Sequence, residues 1–320
     1  MNFIEDIARG TGPLFIIGSC KNAGKTTLLN YLNAELYQRI PAPISLLTIG
    51  RDGEAEDAIW HHPKPPVSLF PGNFFVTIEP ELRRLGAAAE QVDRLPFYTA
   101  LGPMVIGRAR WEAQVEIIGP DTNSELWTAL EKLRRLGSPL QLVDGAYERR
   151  TQVAISDNAR LALVVSADIA PSAQRAGEWL AFQRELFGLP KAPKDLIPHA
   201  PLPQGLSWLK NGQWQEKPAG AEAICCIGPL VESAIEPFLE VFRGLRLVVE
   251  DATKIFLDLA AWRKMLRRVS GVYVMRPLRL ILAASNPRGQ LRQFPADAML
   301  KALVDAAAGL PVIDVLKVKL

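Results

Sequence analysis

The feature that most restricts the fold is a recurrence. Short apolar runs rich in β-branched residues return along the chain: "PLFIIG", "ISLLTIG", "AQVEIIG", "LQLVDG", "LALVVS", "AICCIG", "LRLVVE", "RLILAAS" and "PVIDVL". Between them lie segments whose apolar residues recur with helical spacing, such as Leu28, Leu29, Leu32, Leu36 and Ile40, and "NSELWTALEKLRRLG", which opens on polar capping residues and stops at Gly137. Strands that are apolar at nearly every position must be covered on both faces. Their alternation with helices therefore predicts an α/β fold built on a largely parallel sheet with helices on both faces. At 320 residues, 48% of them hydrophobic, the chain is long enough for one large domain or two smaller ones.

The organisation reads as a block over 1–188, a proline-rich connector over 189–220, and a C-terminal α/β block over 221–320 that either stands alone or continues the first sheet. Within the connector, "WLKNGQW" places an Asn-Gly turn between aromatics, a short-range hairpin signal. "VVEDATKIFLDLAAWRKML" reads as a strand and a helix capped by Asp251, with Leu257, Ala261 and Leu266 on its buried side. "RRVSGVYVMRPLRL" reads as a core strand rather than a basic patch.

Composition narrows the function. Charged residues make up 22% of the chain, nearly cancel to a net +3, and form no long run, so charge does not imply nucleic acid. "MNFIEDIARGTG" lacks the pattern of a signal peptide and no apolar run reaches the roughly 20 residues of a membrane span, so a cytoplasmic protein is expected. Cys20, Cys225 and Cys226 have no C-x-x-C spacing and read as buried free thiols, the adjacent pair pointing to opposite faces of a strand. His61, His62 and His199 stand at no metal or catalytic spacing.

The chemistry concentrates in "PLFIIGSCKNAGKTTLLNYL". An apolar strand, a loop of small and polar residues and an amphipathic helix stand in the order of a phosphate-binding loop, G-x-x-x-x-G-K-S/T, with Ser19 where the first glycine is usual. In that reading the backbone of Ser19, Cys20, Lys21, Asn22, Ala23, Gly24 and Thr27 surrounds the phosphates, and Lys25 reaches the β- and γ-phosphate oxygens. Thr26 ligates Mg²⁺ through its hydroxyl. Gly24 keeps side-chain bulk away from the phosphates. A lysine in the first helical turn faces the positive end of the helix dipole, which disfavours a purely structural Lys25. Lys21 is a second cation that either offsets transition-state charge or is an ordinary exposed loop lysine.

Three further positions complete the expected site. The strand "LQLVD" ends in Asp144, a carboxylate suited to the metal, with a turn cap as the bland alternative. "RDGEAED" follows the second strand, and Asp52, ahead of Glu54, is expected at the metal or the attacking water; its bland reading is a solvated acidic turn. Asn286 ends the strand "RLILAASN", where its amide is suited to reading a purine edge or simply initiates an Asn-Pro turn.

"GSCKNAGKTTLLNYL" resembles the phosphate loop of the MobB proteins of molybdenum-cofactor guanine-dinucleotide synthesis, of the P-loop group that includes dethiobiotin synthetase and the cell-division ATPases. The extra lysine of those ATPases stands at the motif's second position, whereas Lys21 is at the third, so the likeness does not establish a nucleotide-sandwich homodimer. Over most of the chain, "FIIGSCKNAGKTTLLNYL", "LLTIGRDGEAED", "LVDGAYERR" and "AASNPRGQLRQF" are similar to the small P-loop subunit, the KamB family, of lysine 5,6-aminomutase reactivases. That resemblance implies ATP and Mg²⁺ as cofactors, Gly24, Lys25 and Thr26 at the phosphates, and Asp52 and Asp144 as further site residues. It also implies two partners, an adenosylcobalamin-dependent aminomutase and a MutS-like ATPase. The expected function is an NTPase, for ATP with GTP as alternative, that acts on a partner protein. Lys25, Asp52 and Lys21 would serve in catalysis and Thr26, Asp144 and Asp52 at the metal. The alternatives are a small-molecule kinase or ligase of the dethiobiotin synthetase type, and a non-hydrolysing accessory protein like MobB.

Overall fold

A computed structural model describes residues 3–49, 66–145, 159–216 and 220–317 of the chain. It divides into two compact units, Met1–Leu180 with Leu280–Leu320, and Ala181–Arg279. The first unit begins with α1 (Phe3–Arg9), β1 (Gly12–Gly18), α2 (Lys25–Tyr37), β2 (Ile44–Thr48), β3 (Val67–Leu69), β4 (Phe74–Ile78) and α3 (Glu79–Leu85). It continues through β5 (Ala89–Thr99), β6 (Gly102–Ala109), β7 (Ala113–Val115), α4 (Asn123–Arg135), β8 (Leu140–Gly145) and β9 (Arg160–Ser166). The division falls within α5 (Ala173–Phe187). The second unit contains β10 (Gly205–Lys210), β11 (Gln213–Gln215), β12 (Ala223–Ile227), α6 (Glu232–Ile235), β13 (Arg246–Val249), α7 (Leu259–Leu266) and β14 (Gly271–Val274). The chain then returns to the first unit with β15 (Arg279–Asn286), α8 (Ala296–Ala307) and β16 (Val312–Asp314).

The first unit is built on a nine-stranded sheet in the order β16-β15-β9-β1-β8-β2-β4-β6-β5. β9, β1, β8, β2 and β4 run parallel to one another, β16 runs parallel to β15, and β6 and β5 close one edge antiparallel. β1 lies between β8 and β9 with every residue from Pro13 to Gly18 buried. Leu14 and Ile16 pack with Ile4 and Ile7 of α1 and with Leu28, Leu29, Leu32 and Leu36 of α2. Phe15 and Ile17, also fully buried, face the other way. α4 starts where its sequence says it should: Thr122 Oγ1 accepts from the Glu125 amide, and Glu125 returns a carboxylate oxygen to the Thr122 amide. Among the described residues no helix is long and apolar enough to cross a membrane.

Two asparagines interrupt the apolar face of α2 and are used structurally. Asn30 accepts from the Ser68 amide at 3.0 Å and donates to the Pro66 carbonyl at 2.9 Å, so its side chain stands in for a neighbouring strand beside β3. Asn33 donates to the Ser68 carbonyl and to Asn73 Oδ1, each at 2.9 Å.

Several expectations are corrected. "AQVEIIG" does not enter the large sheet; it gives only β7, paired with β3 in a separate ribbon, because Gln114 and Glu116 are exposed and only one face of the run is buried. β4, from "FFVTI", takes its place beside β2. The C-terminal block over 221–320 is divided: β12, β13 and β14 form a second sheet, while β15 and β16 belong to the first. That second sheet, ordered β11-β10-β12-β13-β14, also takes up the connector, whose Asn211 and Gly212 both have positive φ at the turn between β10 and β11. Its core includes Trp208 edge-on to Phe242, ring centroids 5.9 Å apart. Asp251 caps only a single turn, through the Thr253 amide at 2.9 Å; α7 begins later, capped by Asp258, whose carboxylate accepts from the Ala261 amide at 2.7 Å.

Candidate functional site

The loop between β1 and α2 turns back sharply at its start and at its end. At Gly18 an added Cβ would lie 2.8 Å from Ala23 Cβ and 3.1 Å from Lys25 Cγ, so the stem of Lys25 folds over the end of β1 and only a glycine admits it. Asn22 and Gly24 adopt positive φ, 55° and 100°, and curl the chain into a concave turn at the head of α2. The amides of residues 22–27 have no main-chain acceptor among the described residues. The first-turn amides of a helix N-terminus, with a lysine as the first helical residue, are the kind of arrangement that suits an anion.

Beside this turn, Thr26 Oγ1 donates to Asp144 Oδ2 at 2.9 Å. Both residues are buried, although 118 positions separate them in the chain. The sheet order explains the meeting: β8 lies directly beside β1, with Ile16 opposite Asp144, so the end of β8 faces the first turn of α2. β2 flanks the carboxylate's other side, where Ile49 and Thr48 donate to the Asp144 carbonyl at 2.9 and 3.1 Å. A threonine hydroxyl that donates to a carboxylate keeps its oxygen lone pairs for a hard cation, and the donor set is the oxygen set that magnesium prefers. Among the described residues no group of three or more His, Cys, Asp and Glu is gathered. A metal here would draw further ligands from a bound phosphate.

The remaining expected residues are placed as follows. Ser19 is buried; its amide donates to the Val164 carbonyl at 2.8 Å and its Oγ accepts from the Ser166 amide at 2.9 Å. Its side chain therefore ties the loop to β9 and is not turned toward a phosphate. Cys20 is half-buried against the core, Lys21 and Asn22 are exposed, Ala23 is buried, and Thr27 is half-buried in the first turn. Asn286 is engaged by the protein itself: Nδ2 donates to the Ala23 carbonyl at 2.7 Å and Oδ1 accepts from the Arg288 amide at 3.1 Å. It fastens the loop between β1 and α2 to β15, and its bond to the Arg288 amide is the turn that the Asn-Pro sequence offered as the alternative to reading a base. Asp52 and Glu54 lie outside the described residues.

Sequence reading missed Ser166 and Asp168 at the end of β9. The polar "SAD" at the end of the apolar run "LALVV" was the available signal. It also missed Gly119, where an added Cβ would lie 1.9 Å from the Thr48 carbonyl oxygen, so the segment after β7 runs hard against the end of β2. Comparison with protein-family models, with curated proteins and with solved structures found no match for this chain.

Proposed function

We propose that the protein is a magnesium-dependent P-loop nucleoside triphosphatase, acting on ATP, whose nucleotide cycle drives a change in a partner protein. The observation that carries this reading is the buried Thr26–Asp144 hydrogen bond at the head of α2, next in the chain to Lys25, whose stem packs against the end of β1. In the proposed chemistry the loop amides and the Lys25 ammonium hold the triphosphate, and Thr26 and Asp144 hold the metal in place. A bound magnesium ion supplies neutralisation of charge on the phosphoryl oxygens. Asp52 is proposed to orient the attacking water, and Lys21, exposed on the loop, to meet charge developing on the phosphoryl group. The resemblance of "GSCKNAGKTTLLNYL" and its companion segments to the reactivase small subunits makes an adenosylcobalamin-dependent aminomutase the first partner to try, and the fold assignment to the P-loop group is part of the same proposal.

The test is phosphate release by the purified chain with Mg²⁺ and ATP or GTP, alone and with the aminomutase, beside Lys25→Ala. Release by the wild type that Lys25→Ala abolishes supports the reading. Equal release by both proteins, or none under any condition, removes the hydrolase assignment.

A further inference from the structure

We propose that the loop over residues 287–294 is the nucleotide-responsive contact surface of this protein, presenting Leu291 between Arg288 and Arg292 to a protein partner with an apolar socket rimmed by carboxylates. The proposal rests on the nucleotide reading above and adds the place where the state of the phosphate loop reaches the surface.

The loop is built around one carboxylate. The amides of Gln290, Leu291 and Arg292 converge on Asp168, at 2.6 Å to Oδ2 and at 2.9 and 2.7 Å to Oδ1. Arg292 Nη1 donates to the Asp168 carbonyl at 3.2 Å, and the loop closes on itself through Gly289 to Arg292 at 2.8 Å and Phe294 to Pro287 at 2.9 Å. The wrapping is tight enough that a Cβ at Gly289 would fall 2.2 Å from Asp168 Oδ1. Three charge-assisted bonds to one anion hold the loop in a single shape.

Two hydrogen-bonded routes join this loop to the turn between β1 and α2. One starts at Ser19, whose Oγ accepts from the Ser166 amide; Ser166 Oγ accepts from the Asp168 amide at 3.3 Å, and Asp168 holds residues 290–292. The other starts at Ala23, whose carbonyl accepts from Asn286, and Asn286 in turn holds the Arg288 amide. Both ends of the turn are tied to the same surface loop. A shift of the turn on phosphate binding must alter one or both routes, because packed and hydrogen-bonded elements transmit displacement rather than absorb it.

What the loop presents is an exposed leucine with two exposed arginines near it in the chain. Leu291 is 83% exposed, the highest value among the large hydrophobic residues described. Arg288 and Arg292 are exposed, and neither forms an ion pair with a described residue. The Leu291 backbone is fixed by Asp168 while its side chain gains no burial, and an apolar side chain on a preformed loop lowers the ordering cost of association. The flanking cations select an acidic surface.

The experiment uses the full chain. Hydrogen exchange at the amides of 290–292 is followed with and without Mg-ATP while calorimetry on the same samples records binding. Bound nucleotide is expected to change exchange at these amides about fivefold or more, and Ser166→Ala to reduce that response. A random-peptide display library is then selected on the immobilised, nucleotide-loaded chain. The expected products are acidic peptides carrying a large apolar residue, whose binding falls about tenfold or more with Leu291→Asp or Arg288→Ser while nucleotide affinity holds. Nucleotide that binds without altering the exchange refutes the coupling and leaves the nucleotide reading standing. Absence of nucleotide binding removes that reading and, with it, the proposal of a nucleotide-responsive surface. Loss of nucleotide affinity in Leu291→Asp would place the base on this loop and overturn the proposal, as would peptides that ignore the substitutions or a selection that yields none.

Discussion

Replacing Ser19 by glycine would make the loop conform to the usual pattern, and the structure predicts that it damages the protein. Ser19 is 4% exposed, and its φ is not in the left-handed region, so glycine's conformational freedom has no use there. The substitution keeps the bond from the Ser19 amide to Val164 but removes the Oγ that accepts the Ser166 amide at 2.9 Å. Ser166 is fully buried, so its N–H would lose its partner away from water, a cost of about 1–3 kcal/mol. The added backbone freedom of glycine in the unfolded chain contributes about 0.5–1 kcal/mol more. A total of about 1.5–4 kcal/mol should appear in urea unfolding as a lower midpoint with an unchanged slope. Ser19→Ala, which loses only the hydroxyl, should fall between the two proteins. A Ser19→Gly protein as stable as the wild type, or more so, would refute this account of the loop.

Thr26→Val keeps the side-chain shape but removes the hydroxyl bonded to Asp144; calorimetry should show the magnesium-dependent part of nucleotide affinity falling about tenfold, with metal-free binding little changed. Glu81 is held below the usual carboxylate range by the hydrogen-bonded Arg84 guanidinium and, against the opposing effect of burial, by the Glu116 amide. A depressed folded-state value contributes stability that is present above the unfolded value and lost as pH falls through the folded one. Glu81→Gln should therefore destabilise at neutral pH and cost progressively less below about pH 4, read from unfolding midpoints across pH. Burial pushes the Cys225 and Cys226 thiols up to about 12 and about 11, with the neighbouring acidic groups adding to it. A disulfide exchange reagent at mildly alkaline pH should reach Cys20 first in the native chain and all three thiols only after unfolding; rapid native labelling of the adjacent pair would contradict their burial.

The features legible in the sequence are those set by local order. The strand, small-residue loop and helix of 13–37 are contiguous, and an apolar strand that ends in aspartate is visible as such at Asp144. The large, mostly parallel sheet follows from runs such as those of β1, β8 and β9, which have no polar face to leave in water. Pairings over long sequence distance were not legible. Asn286 meets Ala23 across 263 positions and Asp168 meets residue 291 across 123, and no spacing rule connects such positions. Asn286 left two readings open for a physical reason: a side-chain amide suits a purine edge and backbone groups equally well, and the structure shows it bonded to the Ala23 carbonyl and the Arg288 amide. The division of the C-terminal block was hidden because strands of the two sheets look alike as sequences; "AICCIG" and "RLILAAS" differ only in which neighbours they meet.

One titration tests the phosphate site most directly: Mg-ATP into the wild-type chain, Lys25→Ala and Asp144→Asn, followed calorimetrically with and without magnesium. Binding by the wild type that collapses in Lys25→Ala and loses its magnesium dependence in Asp144→Asn is the predicted result. Binding indifferent to both substitutions, or no binding of ATP or GTP by the wild type, would contradict a phosphate site at the head of α2.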